Sequence, residues 1–73
     1  MEKVMGLSAL IHGQFPNDSA FAKHIGWSRQ RLSRILTRSQ PPTLDDVQEI
    51  ANGLGVPVIM VVNFFLTKES TNV

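Results

Sequence analysis

The sequence predicts a single all-α domain, and three patterns support that prediction. Apolar residues recur every three or four positions, as they do on the buried face of a helix. Polar residues that can cap a helix stand directly before several of these runs, and glycine or proline follows them. The chain has 73 residues and no cysteine, which allows one small core and excludes disulfides and thiolate metal sites.

The first two helices are predicted over residues 3–13 and 17–25. Apolar residues recur at helical spacing in the first, and Gly13 stands at its expected end. In the second, the Asn17 side chain can accept a hydrogen bond from a free N–H group of the first turn. Gly26 then suits the positive φ that ends a helix sharply.

Two further helices are predicted over residues 28–38 and 43–54. Ser28 is the expected cap of the third helix. Two prolines follow that helix and exclude a helical connection. Thr43 followed by Asp46 resembles a capping box, with Asp in place of the usual Glu or Gln.

The segment 57–66 is ambiguous from its pattern alone. Pro57 suits the first position of a helix, whereas the β-branched residues that follow suit a strand. The apolar run is too short to cross a bilayer, which needs about 20 residues, so no membrane association is expected. The polar tail, residues 67–73, is expected to be flexible.

Positive charge is concentrated in one short segment. Residues 23–38 hold one lysine and four arginines without an acid, a sum of +5. Residues 1–22 sum to −1 and residues 39–73 to −3, which together give the net charge of +1. Such asymmetry favours a polyanionic partner, although a basic cluster can also be an ordinary solvated helix face.

Residues 18–37 have the features of two helices that cross at a tight turn. Ala22 is small enough to let the helices approach, and Gly26 has no Cβ to obstruct the turn. Apolar residues in both helices, Phe21 and Leu32 among them, can hold the pair on a core. This combination is typical of a helix-turn-helix.

Three blocks of the chain agree in order and spacing with one known family. They are Phe21-Ala22-x-x-Ile25-Gly26-Trp27-Ser28-Arg29-Gln30-x-Leu32-Ser33-Arg34-Ile35, then Pro42-Thr43-Leu44, then Ile50-Ala51-x-x-Leu54-Gly55-Val56. Over about residues 17–66 the chain resembles the Cro/repressor (XRE-type) helix-turn-helix family. The resemblance implies a compact five-helix lambda-repressor-like domain with a helix at 57–66. It also implies that helix 28–38 enters the major groove of double-stranded DNA.

The sequence departs from this family's pattern in four places. Ile11 and Leu36 replace an Arg–Glu pair that is often buried in members, and a direct apolar contact between them would avoid desolvating two charges. Arg38 stands where glycine often follows the recognition helix, which predicts a different helix end. Asp18 replaces a common phosphate-binding glutamine, and Trp27, at a usually aliphatic position, is interpreted as a packing residue.

The outward face of the predicted third helix supplies the candidate DNA-binding residues. Arginine matches guanine O6 and N7, and glutamine matches adenine N6 and N7. Because the N-terminal residues of the recognition helix reach base edges in helix-turn-helix docking, base contacts are expected from Arg29, Gln30 and Arg34, with support from Ser33 and Thr37. The candidates for phosphate contacts are Asn17, Ser28, Arg38, Ser39 and Gln40. Arg31 lies nearer the apolar edge, where it is expected to pack its stem or to pair with an acid.

The last segment has little polar face, which predicts an apolar patch left over after the core is covered. The residues assigned to this core and dimer patch are Val58, Val61, Val62, Phe64 and Phe65. A twofold homodimer would place two recognition helices about 34 Å apart. The alternative is a segment that folds inward completely.

The favoured function is that of a cytoplasmic transcriptional regulator, of phage repressor or Cro type or antitoxin-like. The alternative is a protein-interaction module that retains the fold without binding DNA. No catalytic triad, metal cluster or phosphate loop is recognised, so no enzyme activity, cofactor or small-molecule ligand is expected. His12 and His24 are interpreted as exposed and unpartnered, and Asp45, Asp46 and Glu49 as acids that favour the helix dipole.

Overall fold

The computed structural model describes residues 4–66, and within that range the chain forms five α-helices and no strand. They are α1 (Met5–Gln14), α2 (Asp18–His24), α3 (Arg29–Leu36), α4 (Leu44–Leu54) and α5 (Val58–Leu66). The all-α prediction is confirmed, and the ambiguous last segment is a helix. The predicted flexible tail, residues 67–73, lies outside the described residues.

The helix starts follow the capping residues in the sequence. The Asn17 side chain accepts from the Ala20 N–H at 2.8 Å, and Ser28 Oγ accepts from the Arg31 N–H at 3.1 Å. Thr43 and Asp46 form the predicted capping box, in which each side chain accepts from the other residue's backbone N–H. Three of the five helices therefore begin where a polar side chain satisfies a free N–H group.

Three helix ends differ from their predicted positions, and one of them is α2, which ends at His24 and not at residue 25. α1 continues through Gly13 to Gln14, whose side-chain nitrogen donates to the Leu54 carbonyl oxygen at 3.0 Å and so caps α4. α3 ends at Leu36 and not at residue 38, because Arg38 has a φ of +64° and leaves the helix. Gly26, with a φ of +79°, makes the predicted turn between α2 and α3.

The core receives apolar side chains from all five helices. The largest side chains with no appreciable exposure are Phe21, Leu7, Ile11, Leu32, Ile35, Leu36, Ile50, Val4 and Val61. Ile11 and Leu36 thus share one core, where an uncompensated charge would be strongly unfavourable. Direct contact between them stays a prediction.

Glycine allows two pairs of elements to approach closely. A Cβ on Gly53 of α4 would collide with the Ile25 side chain, which lies just after α2. A Cβ on Gly6 of α1 would lie 2.7 Å from the Phe64 ring of α5. These contacts set the positions of α2 and α5 against the rest of the domain.

α5 turns most of the predicted core and dimer patch toward the core. Val61 is fully buried, and the other four members, Val58, Val62, Phe64 and Phe65, are partly buried against the core. The exposed apolar side chains of α5 are Ile59, Met60 and Leu66, with exposed fractions of 64%, 40% and 72%. Within the predicted core and dimer patch, Val61 therefore belongs to the core, because its position on α5 faces the other helices.

Candidate nucleic-acid interface

α3 has one buried side and one exposed side. Leu32, Ile35 and Leu36 have no exposed surface and fix the helix to the core. Four polar side chains of α3 are exposed: those of Gln30, Ser33 and Arg34 lie away from the buried side, and that of Arg29 stands at the N-terminal edge of the helix. Four of the five predicted base-contacting residues are therefore accessible on α3.

The fifth predicted base reader, Thr37, is placed differently. It lies just after the end of α3 and is partly buried. Its hydroxyl donates to the Ser33 carbonyl oxygen at 2.8 Å, and its Oγ1 lies 3.1 Å from Ser39 Oγ. These bonds stabilise the turn that follows α3.

That turn brings Gln40 back to α3. The side-chain oxygen of Gln40 accepts from Arg34 Nε at 3.2 Å. Its backbone N–H donates to the Arg34 carbonyl oxygen, also at 3.2 Å. Gln40, which was predicted to bind phosphate, thus contacts a predicted base reader.

Arg38 connects the same turn to the end of α5. Its Nη1 donates to the Phe65 carbonyl oxygen at 2.9 Å, while its backbone adopts the left-handed conformation. Glycine is favoured in that conformation because it has no Cβ. The chain therefore reverses at Arg38 in a conformation that favours glycine, and the arginine side chain adds a bond to α5.

A compact set of contacts joins the first turn of α3 to α4. Arg31 Nη2 donates to Asp46 Oδ1 at 2.5 Å, and its guanidinium lies 4.1 Å from the centre of the Trp27 ring. Trp27 Nε1 donates to Glu49 Oε1 at 2.6 Å. The interpretations of Trp27 as a packing residue and of Arg31 as the partner of an acid are thereby confirmed.

The electrostatics of Asp46 reflect this arrangement. Burial alone would raise its pKa, but a backbone hydrogen bond from Thr43 and the hydrogen bond and charge of Arg31 outweigh burial. The pKa of Asp46 is therefore lower than its usual value. The interpretation of Asp46 as a capping-box residue, and of Asp46 and Glu49 as acids that favour the helix dipole, missed their bonds to Arg31 and Trp27.

The N-terminal end of α2 also differs from expectation. His12 Nε2 and Asp18 Oδ1 are 2.8 Å apart, so the interpretation of His12 as unpartnered was wrong. The two residues lie six positions apart on different helices, and only the fold brings them together. His24 is exposed, as expected, and its ring lies 5.2 Å from that of Phe15.

A family model described as a helix-turn-helix domain matches residues 19–62. The chain belongs to the helix-turn-helix family. The match begins inside α2 and ends inside α5, so it includes the turn at Gly26 and the whole of α3. No curated protein and no solved structure matches the chain.

The helix-turn-helix domain indicates DNA binding and a regulatory role. Residues 4–66 contain no group of three or more side chains that could hold a metal ion. No single helix in the described range is long and apolar enough to cross a membrane. Only when α4 and α5 are taken together are they long and apolar enough, and the two helices are bent by 119° relative to each other.

Proposed function

We propose that this helix-turn-helix protein is a sequence-specific regulator of transcription of the Cro/repressor (XRE) type. α3 enters the major groove of double-stranded DNA, and its exposed side reads the bases. The observation that carries the proposal is that α3 combines a fully buried apolar side with four exposed polar side chains, those of Arg29, Gln30, Ser33 and Arg34. A rigid helix that presents polar groups in this way matches the docking of helix-turn-helix proteins.

Each exposed side chain of α3 has a chemically defined role. The two arginines suit guanine, whose O6 and N7 accept two parallel hydrogen bonds. Gln30 suits adenine, whose N6 donates and N7 accepts. Ser33 can donate or accept and therefore tolerates more than one base.

The residues around α3 provide the phosphate contacts. Ser28 can donate its hydroxyl proton to a phosphate while its oxygen accepts the capping bond, and the Asn17 amide nitrogen can donate in the same way. Ser39 and Arg38 follow the helix and reach the backbone on its other side. Thr37 supports the base-reading surface by stabilising this turn.

The protein acts as a homodimer in this proposal. Ile59, Met60 and Leu66 provide the exposed apolar surface, on the side of α5 opposite the fully buried Val61. A twofold pair places two α3 helices about one DNA turn apart, so the site is a palindrome. The protein works in the cytoplasm on bacterial or phage DNA, as a repressor, Cro-type or antitoxin-like regulator.

Selection of bound sites from a random duplex pool tests the proposal. We expect a palindromic motif whose half-sites are about 34 Å apart, and binding that weakens steeply with salt. The control is the Arg29→Ala/Gln30→Ala/Arg34→Ala variant, which removes the readers and retains the buried side of α3. If the wild type enriches no motif and does not retard random duplex at low salt, the fold serves as a protein-interaction module instead.

A further inference from the structure

The segment after α3 is folded back onto Arg34 by three hydrogen bonds. The backbone N–H groups of Ser39 and Gln40 donate to the Arg34 carbonyl oxygen at 2.9 and 3.2 Å. The Gln40 side-chain oxygen accepts from Arg34 Nε at 3.2 Å. Gln40 is therefore bound to Arg34 through both its backbone and its side chain.

The position of Gln40 is fixed from both sides. On one side, the left-handed Arg38 reverses the chain, and the Arg38 guanidinium bonds to the Phe65 carbonyl oxygen. On the other side, Gln40 is partly buried beside Pro41 and Pro42 at the edge of a cavity of about 190 Å³. A residue held in this way can restrict the side chain that it contacts.

The contact with Gln40 determines which edge of Arg34 meets the DNA. A guanidinium is planar, so a hydrogen bond at Nε restricts the orientation of the whole group. Nε donates to Gln40, which leaves the terminal pair, Nη1 and Nη2, to approach a base. Two parallel donors at that spacing fit O6 and N7 of guanine.

We propose that Gln40 is a positioning residue for base recognition and that it acts through Arg34. It orders the Arg34 guanidinium before DNA binds, so less side-chain freedom is lost on complex formation. This inference rests on the proposed function, because it requires Arg34 to read a base. It replaces the interpretation of Gln40 as a phosphate contact.

Three single variants, tested on the selected operator, show whether Gln40 positions Arg34 or binds phosphate. Arg34→Ala identifies the base pair that Arg34 reads, since discrimination at that position is then lost. Gln40→Ala should lower discrimination at the same base pair by about three- to tenfold, with affinity for random duplex unchanged. Gln48→Ala, at an exposed glutamine of α4, is the matched control and should change neither quantity.

Three further measurements distinguish positioning from a structural effect. Gln40→Glu retains an acceptor for Arg34, so discrimination should persist while the added charge weakens binding to every sequence. In the Arg34→Ala background, Gln40→Ala should have no further effect on that base pair. In the free protein, NMR should show slowed exchange of the Arg34 Nε–H in the wild type and in Gln40→Glu, and fast exchange in Gln40→Ala.

The outcomes that overturn the inference differ from those that overturn the proposed function. Suppose that Arg34→Ala lowers discrimination at one base pair, whereas Gln40→Ala lowers affinity equally for all DNA sequences. Gln40 then binds phosphate, and the positioning role is wrong. If Arg34→Ala itself weakens all sequences equally, Arg34 reads no base and the inference fails with it. If the wild type selects no motif at all, the proposed function is the part that fails.

Discussion

The Trp27 indole N–H donates a hydrogen bond to Glu49 Oε1 at 2.6 Å and thereby ties the helix-turn-helix junction to the middle of α4. Trp27 is only 6% exposed, so its N–H has little access to water. Beside it, Arg31 reaches the largely buried Asp46. The first turn of α3 is therefore held to α4 at two points that lie next to each other.

Loss of the Glu49 carboxylate should destabilise the domain. Glu49→Ala leaves the buried indole N–H of Trp27 without its acceptor, which should lower the free energy of unfolding by about 1–3 kcal/mol. Glu49→Gln retains an acceptor and should have a smaller effect. Urea denaturation followed by the fluorescence of Trp27, the single tryptophan, measures both variants. If both variants lost the same free energy of unfolding, the hydrogen bond to Trp27 would not be the cause of the destabilisation.

The Asp46–Arg31 pair should make stability depend on pH in the acidic range. The pKa of Asp46 is lowered in the folded state, so its contribution is fully present above the unfolded-state pKa, about 3.9. The contribution is lost as the pH falls through the folded-state pKa. Asp46→Asn removes the charge and should lower the free energy of unfolding at neutral pH by about 1–3 kcal/mol.

Denaturation at a series of pH values, from neutral to about 2, tests this contribution. The difference between the wild type and Asp46→Asn should shrink as the pH falls below about 4. Asp45→Asn is the matched control, because Asp45 is exposed on the same turn of α4. A constant difference across the series would exclude Asp46 ionisation as its source.

Gly53 should not tolerate a side chain. Gly53→Ala would place a methyl group against Ile25 and near the Phe21 ring, and either α2 or α4 must then move. We expect the free energy of unfolding to fall by about 1–3 kcal/mol from such overpacking.

Gly13→Ala is the control, because nothing lies within 4 Å of its Cβ position near the end of α1. That change should stabilise the protein by about 0.5–1 kcal/mol, since alanine favours a helix more than glycine does. Thermal unfolding of both variants shows whether Gly53→Ala lowers the stability and Gly13→Ala raises it.

Arg34→Ala should relax recognition at one base pair. Loss of a bidentate contact to guanine removes about 1–3 kcal/mol of discrimination at that position. Competition binding with operators that vary one base pair at a time measures this effect. Lys23→Ala removes an exposed charge from α2 and should, at most, weaken all sequences alike. The base-reading role of Arg34 would be refuted by the same uniform loss in Arg34→Ala.

Ile59→Glu should disrupt self-association. Ile59 is 64% exposed on the side of α5 assigned to the dimer, and a charge there would have to be buried between two copies. Analytical ultracentrifugation should show the wild type shifting to dimer with concentration and Ile59→Glu remaining monomeric. The control is Leu44→Glu, because Leu44 is similarly exposed, at 71%, but lies at the start of α4. A dimer that survives Ile59→Glu requires a different interface.

The features that local chemistry determines were predictable from the sequence. The caps at Asn17, Ser28 and Thr43 and the turn at Gly26 depend on residues within a few positions of each other. The apolar face of α3 follows directly from helical periodicity. For the same reason, four of the five expected base readers are exposed on α3.

Most of the features that sequence reasoning missed depend on contacts between residues far apart in the sequence. Asp46 and Glu49 suit a helix N-terminus, and no local pattern indicates that Arg31 and Trp27 reach them from 15 and 22 residues away. The orientation of α5 is also set by other helices, so an almost continuous apolar run could not show that Val61 points inward. A non-glycine residue with a positive φ, such as Arg38, has no clear local signal either.

If α3 reads bases in a homodimer, as proposed, its shortness has a consequence for how the protein finds its target in a genome. Eight helical residues span about 12 Å, and stacked base pairs are about 3.4 Å apart, so one protomer inspects roughly four base pairs. Two protomers specify about eight positions, a combination that arises by chance roughly once in 65,000 base pairs and hence many times in a genome of millions. Selectivity in the cell therefore requires further information, such as neighbouring operators occupied together or the bending preference of the spacer.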